Sequence, residues 1–351
     1  MINDTLMNNY HSSLPRLAIV VPCYKEEAVL PETHRRLSAL LDVMIEAGEV
    51  ASRSYVFYVN DGSRDSTWPL IEELNRTSRY ACGLNLAGNV GHQNALMAGL
   101  EAVKRRCDIA VSIDADLQDD VEAIRQMVAS YKRGNDIVYG VRQERKTDTF
   151  FKRTTALAFY RLMERMGVNV IYNHADFRLM SRRALEQLCR YRERNLFLRG
   201  LVPLIGYNTD KVYYNRAKRF AGESKYPLSK MIHFAVDGIT SFSVKPVRMI
   251  FWIGCLFVFV ALCVVLWTLH SYFMHQTYPG WASLIISIWL VGGVILIALG
   301  IVGEYIGKIY IEVKNRPRYN QERLLMQNQQ EADEPIADEL LTDEPMPKKL
   351  C

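Results

Sequence analysis

Four short apolar runs, each ending abruptly in polar residues of ligand type, constrain this 351-residue chain more than any other feature. Residues 17–21 (LAIVV) stop at Pro22, Cys23, Tyr24, Lys25 and Glu26. Residues 55–59 run into Asn60, Asp61, Gly62 and Ser63, and residues 82–86 give way to Gly88 and Asn89. Residues 109–113 run into Asp114, Ala115, Asp116, Leu117, Gln118, Asp119 and Asp120. Apolar runs of this length without alternation read as strands buried on both faces. Between them, leucines and other apolar residues recur at helical spacing over 29–47, and further helices are expected from about 67, over about 93–104 and over about 121–132. A further strand is expected over 136–139. Strand and helix alternating in this way predict an α/β chain with a mostly parallel sheet, covered by helices on both sides.

In such sheets a ligand binds beyond the carboxyl ends of the strands. Two carboxylates one residue apart at such an end, Asp114 and Asp116, repel each other unless a cation lies between them. Mg²⁺ or Mn²⁺ would suit them, since hard divalent ions take oxygen ligands, keep waters and share the oxygens of a bound phosphate. The plainer alternative is a solvated loop with a helix cap at Asp119 or Asp120. The polar loops at the neighbouring strand ends favour a metal-diphosphate site.

Composition adds an asymmetry. The overall apolar fraction of 49% conceals residues 250–269 and 281–303, two stretches without a charged residue. Each is long enough to cross a hydrocarbon core of about 30 Å. Lys245 and Arg248 precede the first, Lys308, Lys314, Arg316 and Arg318 follow the second, and the connecting loop has neither Lys nor Arg. By the positive-inside rule two transmembrane helices are expected, with the large domain and both termini on the cytoplasmic side of the membrane.

The expected organisation is a flexible arm (1–15), a catalytic domain (16–228) and a juxtamembrane amphipathic helix (229–246), which reads equally as an ordinary packing helix. The two transmembrane helices (247–307), a basic juxtamembrane segment (308–327) and an acidic disordered tail (328–351) follow. No secretory signal is expected at the N-terminus. Seven cysteines without a CxxC pair read as reduced thiols, and a net charge of +5 makes no case for nucleic acid. Beyond residue 139, basic candidates for charge balance are Arg142, Arg145, Arg153, Arg219 and Lys225, any of which could instead be a solvated or lipid-facing charge. Asp176, set among apolar residues in HADFRLM, reads either as an acid at the reacting centre or as one half of an ion pair with Arg178.

The motifs VVPCYKEE (20–27), VNDGSRDST (59–67), GNVGHQNALMAG (88–99), DADLQDD (114–120), DFRLMSR (176–182), RFAGESKYP (219–227) and GEYIGKIYIEVKNRPRY (303–319) occur in order along the chain. As a set they resemble the polyprenyl-phosphate glycosyltransferases of glycosyltransferase family 2, in the bactoprenol glucosyltransferase branch related to dolichyl-phosphate mannose synthase. The resemblance spans about residues 16 to 319. It implies a GT-A fold (Rossmann-like) and inverting transfer of a hexose, glucose first, from a nucleotide sugar, a UDP-sugar first, to undecaprenyl phosphate.

By motif position it implies that Pro22, Tyr24, Glu26 and Asp61 hold the nucleoside, and that Asp114 and Asp116 hold the metal and diphosphate. Gln118 would line the sugar-diphosphate site and Asp176 the reacting centre. Arg142 and Arg153, with Lys152 adjacent, resemble acceptor-phosphate residues, and Arg219 and Lys225 those of a loop that closes over the donor phosphates. The partners expected are a nucleotide sugar, a polyprenyl phosphate lipid and the membrane, with assembly as a homo-oligomer and no nucleic acid. Two positions depart from the family pattern: Asn60 stands where a second Asp is common, and His92-Gln93 replaces a Lys-Glu type pair.

Other readings are a family 2 transferase with a different sugar or lipid, or an inactive membrane scaffold. A processive synthase would carry Gln-x-x-Arg-Trp, and the chain has no Arg-Trp. A nicotinamide enzyme would carry GxGxxG after the first strand, where Pro22-Cys23-Tyr24 stands.

Overall fold

The computed structural model describes residues 14–143, 174–215, 245–273 and 280–327. Arg145, Lys152, Arg153, Arg219, Lys225, the N-terminal arm, the helix expected near 154–166, the amphipathic helix and the acidic tail lie outside the described residues. The described residues fall into two compact units.

The first is built on an eight-stranded sheet. Its strands are β1 (Leu17–Cys23), β2 (Tyr55–Asn60), β3 (Ala81–Leu86), β4 (Ile109–Ser112), β5 (Ile137–Arg142), β6 (His174–Ser181), β7 (Thr209–Tyr214) and β8 (Gln321–Leu325), in the order β7-β5-β6-β4-β1-β2-β3-β8. The first four strands pair in parallel, β1 with β2 and β4, and β2 with β3. They are almost wholly buried, as their unbroken apolar runs require. Helices α1 (Leu30–Glu46), α2 (Thr67–Thr77), α3 (His92–Val103) and α4 (Ala123–Lys132) begin within two residues of the predicted starts.

Apolar residues of α1 and α4 share one core cluster with the strands, Leu37, Leu41 and Met44 from α1 and Ile124 and Met127 from α4 meeting Ile19, Val21, Tyr58 and Val111. Helix α3 packs closely enough on β1 and β2 that a Cβ at Gly99 would come within 2.5 Å of Val20 Cγ1 and 2.7 Å of Val59 Cγ2.

Two strands depart from the predicted alternation. Strand β6 inserts antiparallel between β4 and β5, with Ser112 opposite Arg178. Its sequence hides it, because Arg178 is 2% exposed in a position where an apolar residue is the usual occupant. After it come two helices, α5 (Arg182–Arg190), capped by Ser181 whose Oγ accepts from Ala184 N, and the short α6 (Leu198–Leu204).

Strand β8 adds antiparallel to the β3 edge, in the stretch whose basic charge suggested a juxtamembrane segment. Residues 308–327 are thus divided between helix up to Lys314 and a sheet strand. Side chains hold this return in place: Arg318 pairs with Glu101 at 3.1 Å and donates to Glu193 O, Tyr319 donates to Glu101, and Asn85 donates to Glu322.

The second unit contains α7 (Lys245–Phe273) and α8 (Trp281–Lys314), which touch each other and contain both uncharged stretches. Among the described residues one stretch, Leu290–Lys314 with mean hydropathy 2.1, is long and apolar enough to cross a membrane. Large apolar side chains on both helices, including Trp252, Trp267, Leu296 and Val313, are exposed.

Candidate active site

Strands β2 and β4 lie on opposite sides of β1, so the sheet order reverses between β1 and β4, and a crevice at such a switch point is where open α/β sheets bind ligands. Three strand ends meet there. Because β6 runs antiparallel to β4, continuing its register past Ser112 and Arg178 places Asp176 across from Asp114. Ser112 Oγ fixes this by donating to Asp176 O at 2.5 Å.

At the β2 end, Asp61 is 3% exposed and its carboxylate is enclosed by the loop after β3. It accepts from Val90 N at 2.7 Å, Gly91 N at 3.1 Å and Asn89 Nδ2 at 3.0 Å. Burial raises its carboxyl above the usual value despite those bonds. Asp61 therefore shapes the 89–91 loop, whichever ligand group it also meets. Gly62 beside it has φ +60°, and a Cβ there would lie 2.4 Å from the Gly88 carbonyl carbon. Gly62→Ala is expected to lower stability by roughly 2 kcal/mol or more, from left-handed backbone strain plus backbone overlap. A thermal melt matching the wild type would show that the loop yields freely.

At the β1 end, Pro22 is buried in the strand opposite Val59, and Tyr24 is exposed with Lys25 Nζ 5.4 Å from its ring centre. Glu26 N donates to Thr67 Oγ1 and Glu26 O accepts from Val29 and Leu30, which starts α1. Lys25 (φ 57°) and Leu117 (φ 56°) are non-glycine residues in left-handed backbone, one in each of the loops after β1 and β4. Strain of that kind gathers at ligand sites.

Asp114 and Asp116 follow β4. Asp116 Oδ1 accepts from Gln118 N at 3.2 Å, and Gln118 is buried. His92, first residue of α3, brings Nε2 to 3.5 Å from Asp114 Oδ1 and 3.8 Å from Asp176 Oδ2. The Asp114 carboxyl is pushed up to about 6 by burial, with His92 opposing and Asp119, Asp176 and Asp116 adding to the rise. Among the described residues no three His, Cys, Asp or Glu side chains form a ready metal cage. Two carboxylates under mutual repulsion fit an ion that keeps its waters and completes its shell with phosphate oxygens.

Asp176 is clamped. Arg178 Nη2 donates to Oδ1 at 2.7 Å, and Arg199 donates to Oδ2 through Nη2 at 3.2 Å and to Oδ1 through Nε at 3.4 Å. Burial alone would raise this carboxyl, but Arg199 and Arg178 hold it well below the usual carboxylate range. The ion pair of Asp176 with Arg178 that the sequence offered as one reading is present, and it lies beside Asp114 at the strand ends.

Arg142, half-buried, is tied to Asp119 and Tyr214. Its Nη2 reaches Asp119 Oδ1 at 3.1 Å and its Nε reaches Tyr214 Oη at 3.1 Å, while Tyr214 donates to the same Asp119 oxygen at 2.6 Å. Of the two residues in the plainer helix-cap alternative, Asp119 is the counter-ion of Arg142, and Asp120 Oδ1 accepts from Glu122 N. The structure brings together Asp61, Asp114, Asp116, Gln118 and Asp176. His92, Gln93 and Arg199 were not foreseen as site residues. A lone arginine between Leu198 and Gly200-Leu201-Val202 was the available signal.

The model for Glycosyl transferase family 2 matches residues 18–189, and that for a GtrB C-terminal hairpin matches residues 245–309. A Bacillus subtilis (strain 168) protein named as an uncharacterized glycosyltransferase, YkoT, is 53% identical over 88% of this chain and 91% of its own. A bactoprenol glucosyl transferase of Shigella phage SfII is 38% identical over 87% of this chain and 96% of its own. Among solved structures, mannosyl-3-phosphoglycerate synthase from Rubrobacter xylanophilus aligns with TM-score 0.44 and 16% identity, over 64% of this chain and 71% of that one.

Proposed function

The chain belongs to glycosyltransferase family 2 and is a glycosyltransferase, and from that premise we propose that it transfers glucose from UDP-glucose to undecaprenyl phosphate at the cytoplasmic face of a membrane. The observation that carries the reading is the meeting of Asp114 and Asp116 with the Asp176–Arg178–Arg199 cluster at one strand-end crevice. The long apolar helices α7 and α8 and the relatives named for a bactoprenol acceptor support a lipid substrate. In this reading both helices span the bilayer and the protein works as a homo-oligomer.

The reaction is a single displacement. A phosphate oxygen of the lipid attacks the anomeric carbon, the bond from that carbon to the donor diphosphate breaks, and UDP leaves with the electron pair, so the configuration inverts. Asp114 and Asp116 would hold Mg²⁺ or Mn²⁺, which neutralises charge on the departing diphosphate. Tyr24 offers an exposed ring for the base. Gln118 lines the sugar side, while Arg153, Arg219 and Lys225 add phosphate contacts.

No protein base is required. A phosphate monoester is already largely ionised at neutral pH, and Asp176, bound by two guanidiniums, is a weak proton acceptor. It serves to orient its arginines. Purified protein given undecaprenyl phosphate, Mg²⁺ and radiolabelled UDP-glucose is expected to form a labelled lipid. If a broad panel of nucleotide sugars gave no product, the scaffold reading would replace this one.

A further inference from the structure

We propose that Arg199 is a ligand of the acceptor phosphate, presented to the reacting centre by Asp176, Arg178 and Gln93; this rests on the transfer reaction above. Arg199 is the second residue of α6, a short helix anchored in the interior by Leu198, Leu201 and Val202, each at most 1% exposed. The peptide just before it is pinned from two sides. Leu198 N donates to Gln93 Oε1 of α3 at 3.0 Å, and Leu198 O accepts from Arg178 Nη1 of β6 at 3.4 Å. The guanidinium that follows is 30% exposed and lies against Asp176, in the crevice that Asp114 and His92 also line.

The two arginines on Asp176 differ in kind. Arg178 is 2% exposed and makes the short bond of 2.7 Å, the geometry of a permanent counter-ion. Arg199 makes bonds of 3.2 and 3.4 Å from an accessible side chain. A phosphate dianion offers shorter charge-assisted bonds and a planar fork to match, so it competes well for this guanidinium while Arg178 keeps Asp176 neutralised. Asp176, Arg178 and Gln93 are then positioning residues, and Arg199 touches substrate. Arg142, with Asp119 and Tyr214 already bound to it, is the less accessible of the two at 23%.

The test uses the full-length protein in lipid nanodiscs, with UDP-glucose and undecaprenyl phosphate. For Arg199→Gln the KM for undecaprenyl phosphate is expected to rise at least about tenfold, as for loss of a charge-assisted hydrogen-bonded pair, with the KM for UDP-glucose within about twofold of wild type. Arg199→Lys, which keeps the charge and loses the fork, should recover part of that loss. An unchanged acceptor KM overturns the proposal, and a rise confined to the donor KM makes Arg199 a diphosphate ligand instead.

A second measurement does not depend on a variant or on turnover. Phenylglyoxal modification of Arg199 in the wild type, mapped by mass spectrometry, should be blocked by undecaprenyl phosphate and not by UDP. Equal modification with and without the lipid overturns the proposal. Wild-type protein that transfers no sugar at all sinks the functional reading, while the protection result still decides whether Arg199 binds lipid phosphate.

Discussion

Asp114→Asn is expected to abolish transfer and, in the absence of metal, to raise the melting temperature. The activity loss should be about 10³-fold or more, since the variant removes a carboxylate that would hold the ion on the leaving diphosphate. The stability gain follows from the proton affinity of the wild-type group. Burial, chiefly, pushes its carboxyl up to about 6 in the folded chain from an ordinary value of 3.8. The folded state therefore binds that proton more tightly than the unfolded state does. Stability is penalised in full above about pH 6, and the penalty is relieved as the pH falls from about 6 towards 4.

The variant should thus melt higher at pH 7.5, with the difference fading near pH 4. Adding Mn²⁺ and UDP should reverse the order at pH 7.5, because only the wild type gains from the bound ion. Near-normal metal-dependent turnover in Asp114→Asn would remove the metal role. A lower melting temperature in its metal-free form would contradict the electrostatics.

The second large effect is on the clamp. Asp176→Asn leaves Arg178, 2% exposed, without its carboxylate, and breaking such a buried pair costs about 3–5 kcal/mol. Transfer should fall at the same time, because Arg199 loses the group that orients it. Adding Arg178→Met to the first substitution should restore part of the stability by removing the uncompensated charge, and none of the activity. Denaturant midpoints and initial rates on the three proteins separate these outcomes.

The pH dependence has a definite sign. The folded Asp176 carboxyl lies below its unfolded value, so its contribution is complete above about pH 4 and is lost only below that. Between pH 5 and 8 the gap between wild type and Asp176→Asn should stay constant. An acid limb in the wild-type rate profile that disappears in the variant would make Asp176 a titrating base after all.

The first four strands, their helices and the carboxylates at their ends were legible because burial on both faces leaves an unbroken apolar run, and because acids at a strand end have few structural uses. What escaped the sequence has a common cause. Strand β6 carries Asp176 and Arg178, a charged pair that is completed by Arg199 from a later helix, so no apolar run marks the strand as interior. Strand β8, QERLL, is polar because it lies at a sheet edge, where β propensity is weak and position is set by Arg318, Tyr319 and Glu322 reaching β3 and α3. Arg142 looked like an open phosphate ligand since Asp119 and Tyr214 join it only through the fold.

The return of β8 to the β3 edge sets an order on biosynthesis. A chain emerging from the ribosome has made β1 to β7 before α7, yet the edge of β3 is covered only after α8 has been completed. Throughout that interval β3 presents the row of unpaired backbone groups that recruits other chains. Release of the nascent chain before α8 would therefore leave a sheet that is nearly whole and still adhesive. Quality control of this protein then has a physical handle: a polypeptide whose apolar hairpin fails to emerge carries an open edge, and one that is translated past α8 closes it with β8.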